Sequence, residues 1–200
     1  SYTGGDALGN GLWKSTDRGE SWIKVMGGDT QSSYVAQYNV VEFVTPSLTK
    51  TYRYSEASFG PNVPQDAPII ADAVIGIDAA GDGDSGDGTD KDGCSSFSNA
   101  SSLKDKIVIV NRGACYFATK AFNASIAQAK LVIIINNNTS NPNEIITMGA
   151  PTDGSVDLSQ IKIPSIMISN SDGTHLKSRL NNGTVRLSVQ KTVSVASGYT

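Results

Sequence analysis

The sequence predicts a mixed α/β, mainly β domain, and three observations carry that prediction. Two uninterrupted apolar runs, 107–110 and 131–135, flank a stretch with helical spacing. Strand, helix and strand in that order make a parallel βαβ unit whose strands are buried on both faces. Short alternating segments elsewhere are separated by Gly-, Asn- and Asp-rich turns, the pattern of further strands. The composition agrees: 20 glycines and only 18% charged residues among 200 suit a β-rich domain with long turns, not a helical bundle.

The elements follow in chain order. Residues 1–33 stand apart as an N-terminal arm, Gly-rich and holding both tryptophans, Trp13 and Trp22. Within it, residues 11–22 read as a β-hairpin around an Asp17-Arg18-Gly19 turn, where glycine supplies the positive φ and aspartate accepts turn amides. Residues 34–200 make the main domain. Residues 34–40 alternate at roughly period two, residues 69–77 form another apolar strand, and Pro61, Pro64 and Pro68 mark the irregular connection between them. Residues 78–93 are a glycine-separated acidic loop with no apolar content to build a core. After the strand at 106–110, residues 117–130 carry helical spacing, with Phe117, Ala121, Ala124, Ile126, Ala127 and Ala129 apolar. The strand at 131–135 follows, then one at 163–169. Ser171 and Asp172 cap a short helix that runs to about Leu180, stopped by Asn181-Asn182-Gly183. Residues 185–195 form the last strand. The aromatics Tyr34, Tyr38, Phe43, Tyr52, Tyr54 and Phe59 fall in strands and read as core.

Charge and hydropathy exclude two classes of partner. The net charge is -3, the pI is about 5.1 and Lys or Arg never cluster, so nucleic acid finds no basic face. No stretch approaches the ~20 apolar residues of a membrane span. Cys94 and Cys115, with His175 as the lone histidine, cannot close a structural zinc site without carboxylates. The pair reads as a disulfide in an oxidising compartment, the alternative being two buried thiols. Five positions fit the N-glycosylation pattern: Asn99, Asn123, Asn137, Asn138 and Asn182.

The acidic loop opens at Asp78. Asp82, Asp84, Asp87, Asp90 and Asp92 offer oxygen ligands at short spacing, as Ca²⁺ requires. Gly86 stands where an EF-hand would place its third ligand and no Glu closes the loop, so the readings are a non-EF-hand calcium site or a solvated loop. His175, expected to be exposed, has Ser171 and Ser178 nearby in sequence but no nucleophile elbow or metalloprotease helix around it. The chain is therefore read as non-catalytic.

The run Lys106-Ile-Val-Ile-Val-Asn-Arg112-Gly113-Ala-Cys115-Tyr-Phe117 resembles the signature of the protease-associated domain, in which a buried strand enters an Arg-Gly-x-Cys-x-Phe turn. Lys120, Asn123 and the strand at 132–137 continue the likeness, as do Ile163-Pro164-Ser165-Ile166-Met167-Ile168-Ser169, Asp172-Gly173, Leu176, Leu180 and the upstream Asp92-Gly93-Cys94. It covers roughly residues 35–196. Asn111 stands where an Asp is common, and the acidic loop is longer than usual. The resemblance implies a small open β-barrel with flanking short helices. It also implies a non-catalytic extracellular module that binds protein or peptide, an accessory domain that positions substrate for, or lids, a secreted protease. The partner is then a protein, a peptide or the rest of its own polypeptide. The alternative is a structural or adhesive module of a bacterial surface protein or filament, calcium-stabilised and self-associating through strand edges. Either places it in a secreted or cell-surface setting, and the Asn- and Thr-rich style resembles bacterial proteins. The expected ligand-facing residues are Asn111, Arg112, Gly113 and Tyr116. Arg112 either grips a peptide carboxylate or carbonyl, or ties neighbouring loops through their carbonyls. A bridge between Cys94 and Cys115 would fix the acidic loop against the Arg112-Gly113 turn and make the two one surface.

The N-terminal Ser15-Thr16-Asp17-Arg18-Gly19-Glu20-Ser21-Trp22 resembles an Asp-box, the hairpin of sialidase-like propellers. Asp17, Gly19 and Trp22 would then be structural turn residues. A single copy cannot make a propeller, which needs several blades to bury its faces.

Overall fold

The computed structural model describes residues 12–14, 21–26, 34–35, 38–45, 48–83 and 86–192, with side chains over 50–83 and 86–191. The chain divides into two compact units, residues 39–191 and the remainder. In the smaller unit β1 (Leu12–Lys14), β2 (Ser21–Met26) and β3 (Tyr34–Val35) form an antiparallel sheet. Of the expected turn residues, Asp17 and Gly19 lie outside the described residues, and only the backbone of Trp22, in β2, lies within them. Of the segment 34–40, the described residues are the two-residue strand Tyr34–Val35 and the start of the strand Tyr38–Thr45. Its first two residues pair with Ser21 and Trp22 of β2, and the smaller unit runs to Tyr38.

The larger unit is a seven-stranded barrel. Its strands are β4 (Tyr38–Thr45), β5 (Leu48–Glu56), β6 (Ile69–Ile75), β7 (Ile107–Asn111), β8 (Leu131–Ile135), β9 (Ser165–Ile168) and β10 (Arg186–Thr192), in the ring order β10-β4-β5-β9-β8-β7-β6. The resemblance implied an open barrel. Here the ring closes because β10 lies between β6 and β4, with Arg186 to Val189 antiparallel to Asp72 to Ile69. Strands β6 to β9 are mutually parallel, and β5 meets β9 antiparallel. Among the described residues three α-helices accompany them: α1 (Ala100–Leu103), α2 (Phe117–Ile126) between β7 and β8, and α3 (Asn170–Asn181) between β9 and β10.

Alternation along the parallel strands divides the core in two. Ile107, Ile109, Leu131, Ile133, Ile135, Ile166 and Ile168 join Tyr52, Tyr54, Leu187 and Val189 in one buried cluster, to which every strand from β5 to β10 contributes: the barrel interior. Their neighbours Val108, Val110, Val132, Ile134 and Met167 point the other way and pack against Ala118, Ala121 and Ala124 of α2. The small alanine face lets the helix lie close to the sheet. This double burial explains why β7 and β8 read as unbroken apolar runs. Leu176 of α3 joins the interior cluster at the end of the barrel where Ile135 and Ile168 finish their strands.

Two helix ends differ from expectation. Helix α2 stops at Ile126 because Gln128 adopts φ 59, a left-handed turn that takes the place of a C-terminal glycine. Helix α3 is capped by Ser169, whose hydroxyl accepts the Asp172 amide at 3.1 Å, not by Ser171 or Asp172.

Candidate functional site

The C-terminal ends of parallel strands leave loop backbone and side chains converging on a crevice, the usual place for ligands in α/β sheets. Here β7 ends at Asn111 and the chain turns through Arg112, Gly113 and Ala114. The Arg112 amide donates to the Ile135 carbonyl at 2.8 Å, extending the β7–β8 ladder by one rung. Gly113 and Ala114 both take positive φ, 136° and 63°, so the turn doubles back sharply enough for the Cys115 amide to reach the Gly113 carbonyl at 2.8 Å. Cys115 then bonds to Cys94. The expected disulfide is present, and it ties the acidic loop to this turn.

Lys120 fastens the same junction from below. Fully buried on α2, its Nζ donates to the Asp92 and Gly113 carbonyls at 2.7 Å each and lies 3.3 and 3.4 Å from the two cysteine sulfurs. Asn123, one turn along, donates to the Gly93 carbonyl at 2.9 Å.

A cavity of about 370 Å³ opens where these pieces meet, with Asn111, Arg112, Gly113, Asn136, Asn170 and Lys177 in its wall, and Asp87, Thr89 and Asp92 contributed by the acidic loop. Arg112 donates to Asn136 Oδ1 at 2.9 Å and lies over the Phe117 ring at 5.8 Å. Buried Asn136 passes the order on. Its amide nitrogen donates to the Glu144 carbonyl at 3.0 Å, and its own carbonyl accepts from Asn170 at 3.1 Å. Lys177 Nζ donates to Asn111 Oδ1 at 3.2 Å, and burial holds its pKa below the usual lysine value. The wall thus sets two cations and three asparagine amides on one side against the acids Asp87 and Asp92 of the loop on the other.

Of the expected ligand residues, Asn111, Arg112 and Gly113 come together. Tyr116 does not line the cavity: it is exposed, and its hydroxyl donates to Asp153 at 2.9 Å. It stands just before α2, at its N-cap. Lys177, Asn136 and Asn170 were missed. Asn170 opens α3 two residues after the end of β9, and that short strand-to-helix junction is the signal that places it at the strand ends.

Of the five candidate calcium ligands, the four described do not all face one point. Asp84 lies outside the described residues; Asp87 is exposed and lines the cavity; Asp90 is exposed and ion-paired to Lys91 at 2.6 Å. Asp82 and Asp92 do face inward, together with Asp78 from the loop's start. Asp78 Oδ2 accepts the Cys94 amide at 2.8 Å, and Asp92 Oδ2 accepts the Thr89 amide at 2.6 Å. Burial, reinforced by the charges of Asp92 and Asp82, pushes the Asp78 carboxyl up to about 6.

His175 packs against Tyr52, with Nδ1 3.0 Å from the hydroxyl. Tyr52 belongs to the barrel interior, and neither residue lines the cavity.

These features define a class: a barrel domain whose disulfide-tied loops crown the C-terminal ends of its parallel strands. More particularly, the chain belongs to the PA domain family, whose model matches residues 69–176. It is 29% identical over 173 residues to vacuolar-sorting receptor 2 of Arabidopsis thaliana, a match covering 81% of this chain and 25% of the receptor. To vacuolar-sorting receptor 5 of the same plant it is 37% identical over 100 residues, covering 48% and 16%. The chain therefore spans a quarter or less of the length of these relatives. Among solved structures, a peptidase M28 precursor from Shewanella amazonensis superposes with a TM-score of 0.53 at 16% identity, covering 80% of this chain and 36% of that one; the likeness is one of fold. No helix among the described residues is long and apolar enough to cross a membrane.

Proposed function

We propose that this domain is a non-catalytic, polypeptide-binding part of a larger extracellular or lumenal protein, and that it seats an extended peptide segment in the cavity at the barrel end. The observation that carries the reading is the convergence of Arg112 and Lys177 with Asn111, Asn136 and Asn170 on one recess. Amides match the alternating donors and acceptors of a peptide backbone. The arginine fork has five N–H donors, and with Asn136 orienting it from one side, others can meet a peptide carboxylate or carbonyl. Relatives named as sorting receptors, and a peptidase with the same fold, support an accessory role in holding cargo or substrate. The disulfide supports an oxidising compartment.

Self-assembly through barrel strand edges has less support, because each strand of a closed ring already has two neighbours.

The test is fluorescence-anisotropy screening of a random peptide library against the disulfide-intact domain. Selected peptides should lose roughly tenfold or more in affinity on Lys177→Met or Asn111→Ala, since buried polar groups left without partners cost that much. Asp66→Asn, on an exposed loop elsewhere, should leave binding unchanged. Equal binding by all three variants would overturn this location for the site.

A further inference from the structure

The acidic loop closes over three carboxylates. The Cys94 amide is shared by two of them, donating to Asp78 Oδ2 at 2.8 Å and to Asp92 Oδ1 at 3.2 Å. Asp82, Asp92 and Cys94 bring ligand-type atoms within 4.8 Å of one another. The Cys94 sulfur is committed to the disulfide, which leaves carboxylates as the donor set.

A second observation points to a ligand there. Asp78 is only 6% exposed, yet its Oδ1 is buried with no hydrogen-bond partner among the described residues. Both carboxylate oxygens of Asp82 are in the same condition. Buried polar atoms are almost always paired, and an unpaired buried carboxylate oxygen is costly. Here three such oxygens occur on Asp78 and Asp82, and Asp78 is linked to Asp92 through the Cys94 amide that both accept. The loop backbone also lies tight on Asp82: a side chain at Gly88 would collide with Asp82 Oδ1, so the carboxylate is roofed by main chain. Lys120 supplies one positive charge at the edge of the group, 2.7 Å from the Asp92 carbonyl. Three ionised carboxylates against one ammonium leave two negative charges.

We propose that Asp78, Asp82 and Asp92 bind a divalent, oxygen-preferring cation, Ca²⁺. Calcium takes six to eight oxygens in adaptable geometry, and three carboxylates supply as many as six. The ligand set differs from the one suggested by spacing alone, because Asp87 and Asp90 face outward. The ion would pin the acidic loop to the disulfide and so hold Asp87, Thr89 and Asp92 in the cavity wall.

The experiment is calorimetric titration of the EDTA-stripped, disulfide-intact domain with CaCl₂, paired with native mass spectrometry and with thermal unfolding in Ca²⁺ or EDTA. One ion per chain is expected, with a Kd within the ~10⁻⁷ to 10⁻³ M covered by calcium sensors and extracellular calcium modules, and a higher unfolding midpoint in Ca²⁺. Asp82→Asn should weaken binding by more than the ~10-fold that loss of an outer partner costs. In EDTA the same variant should unfold no earlier than wild type, because it relieves repulsion. A purely structural Asp82 would behave the opposite way. Asp66→Asn should titrate like wild type. Absence of Ca²⁺ binding to the wild-type domain at millimolar concentration, or wild-type affinity in Asp82→Asn, would overturn the proposal. Should the variant fail to fold, the wild-type titration decides alone.

Discussion

Lys120 Nζ donates to the Gly113 carbonyl at 2.7 Å from a fully buried position on α2. The same nitrogen holds the Asp92 carbonyl, so one ammonium joins the two loops that the disulfide also joins. Lys120→Met keeps the aliphatic stem and removes the donors, leaving two inward carbonyls without the partner that holds them. Hydrogen bonds to charged groups contribute about 1.5–3 kcal/mol each, and part of that is offset by the cost of burying the ammonium. The expected destabilisation is ~2–4 kcal/mol, read from urea unfolding under oxidising conditions. A shift near zero would mean that the disulfide alone fixes the junction.

The bridge itself spans a sequence separation of 21. Closing a loop of that size removes unfolded-state entropy equivalent to about 3 kcal/mol. The double variant Cys94→Ser, Cys115→Ser should lose about that much, with a further local effect. The Cys94 amide donates to Asp78 and Asp92, and the Thr89 amide to Asp92. These amides should exchange with deuterium faster in the double variant, while amides of β7 and β8 keep their protection relative to the new global stability. Uniformly changed protection would mean that the loop has no local stability for the bridge to defend.

Gly173 lies on α3 where a Cβ would run into the Ile135 side chain. The helix thereby approaches the end of β8 closely enough for Leu176 to plug the barrel interior. Gly173→Ala must push the helix out, and overpacking of this kind costs typically 1–3 kcal/mol. Because Lys177 and Asn170 ride on the same helix, peptide affinity should fall along with the denaturation midpoint. Ala at this position in an exposed helix would instead stabilise, so the sign of the change reports the contact.

The parallel centre of this fold was legible because double burial writes itself into sequence as unbroken apolar runs, and Ile107 to Val110 and Leu131 to Ile135 have no polar residue to interrupt them. The end of α2 was not legible: a glutamine in the left-handed region does what glycine ordinarily does, and glutamine carries no such signal. The pairing of Tyr34 and Val35 with β2 was not legible, because alternation fits any strand, whichever sheet receives it. At the site, Arg112 and Gly113 were found through their motif, whereas Lys177 reaches Asn111 across 66 residues, a meeting that only the barrel topology decides. Which aspartates of the acidic loop face inward depends on backbone turns such as the Gly81 amide to Gly88 carbonyl bond at 2.7 Å. Asp78, at the edge of the acidic run, was undervalued for that reason.

His175 offers a pH-dependent check on the barrel plug. Its Nδ1 meets the hydroxyl of Tyr52, a fully buried tyrosine whose pKa burial pushes up to about 12. Burial lowers the histidine pKa first, and the positive charges of Lys50 and Arg179 lower it further, against a smaller opposing pull from Asp172. Folding therefore favours neutral imidazole. The sign follows from proton linkage: where the unfolded chain binds more protons than the folded one, stability rises with pH. The His175 contribution is full above the unfolded value of about 6.5 and is lost as pH falls through that value toward the depressed folded one. Wild type should lose more stability between pH 7.5 and 5.5 than His175→Gln, which keeps a hydrogen-bonding side chain but does not titrate. An imidazole titration followed by NMR should have its midpoint below 6.5, and Tyr52→Phe, which leaves the burial and the two cations in place, should not restore it. A midpoint at or above 6.5 would mean that Asp172, and not burial, governs this histidine.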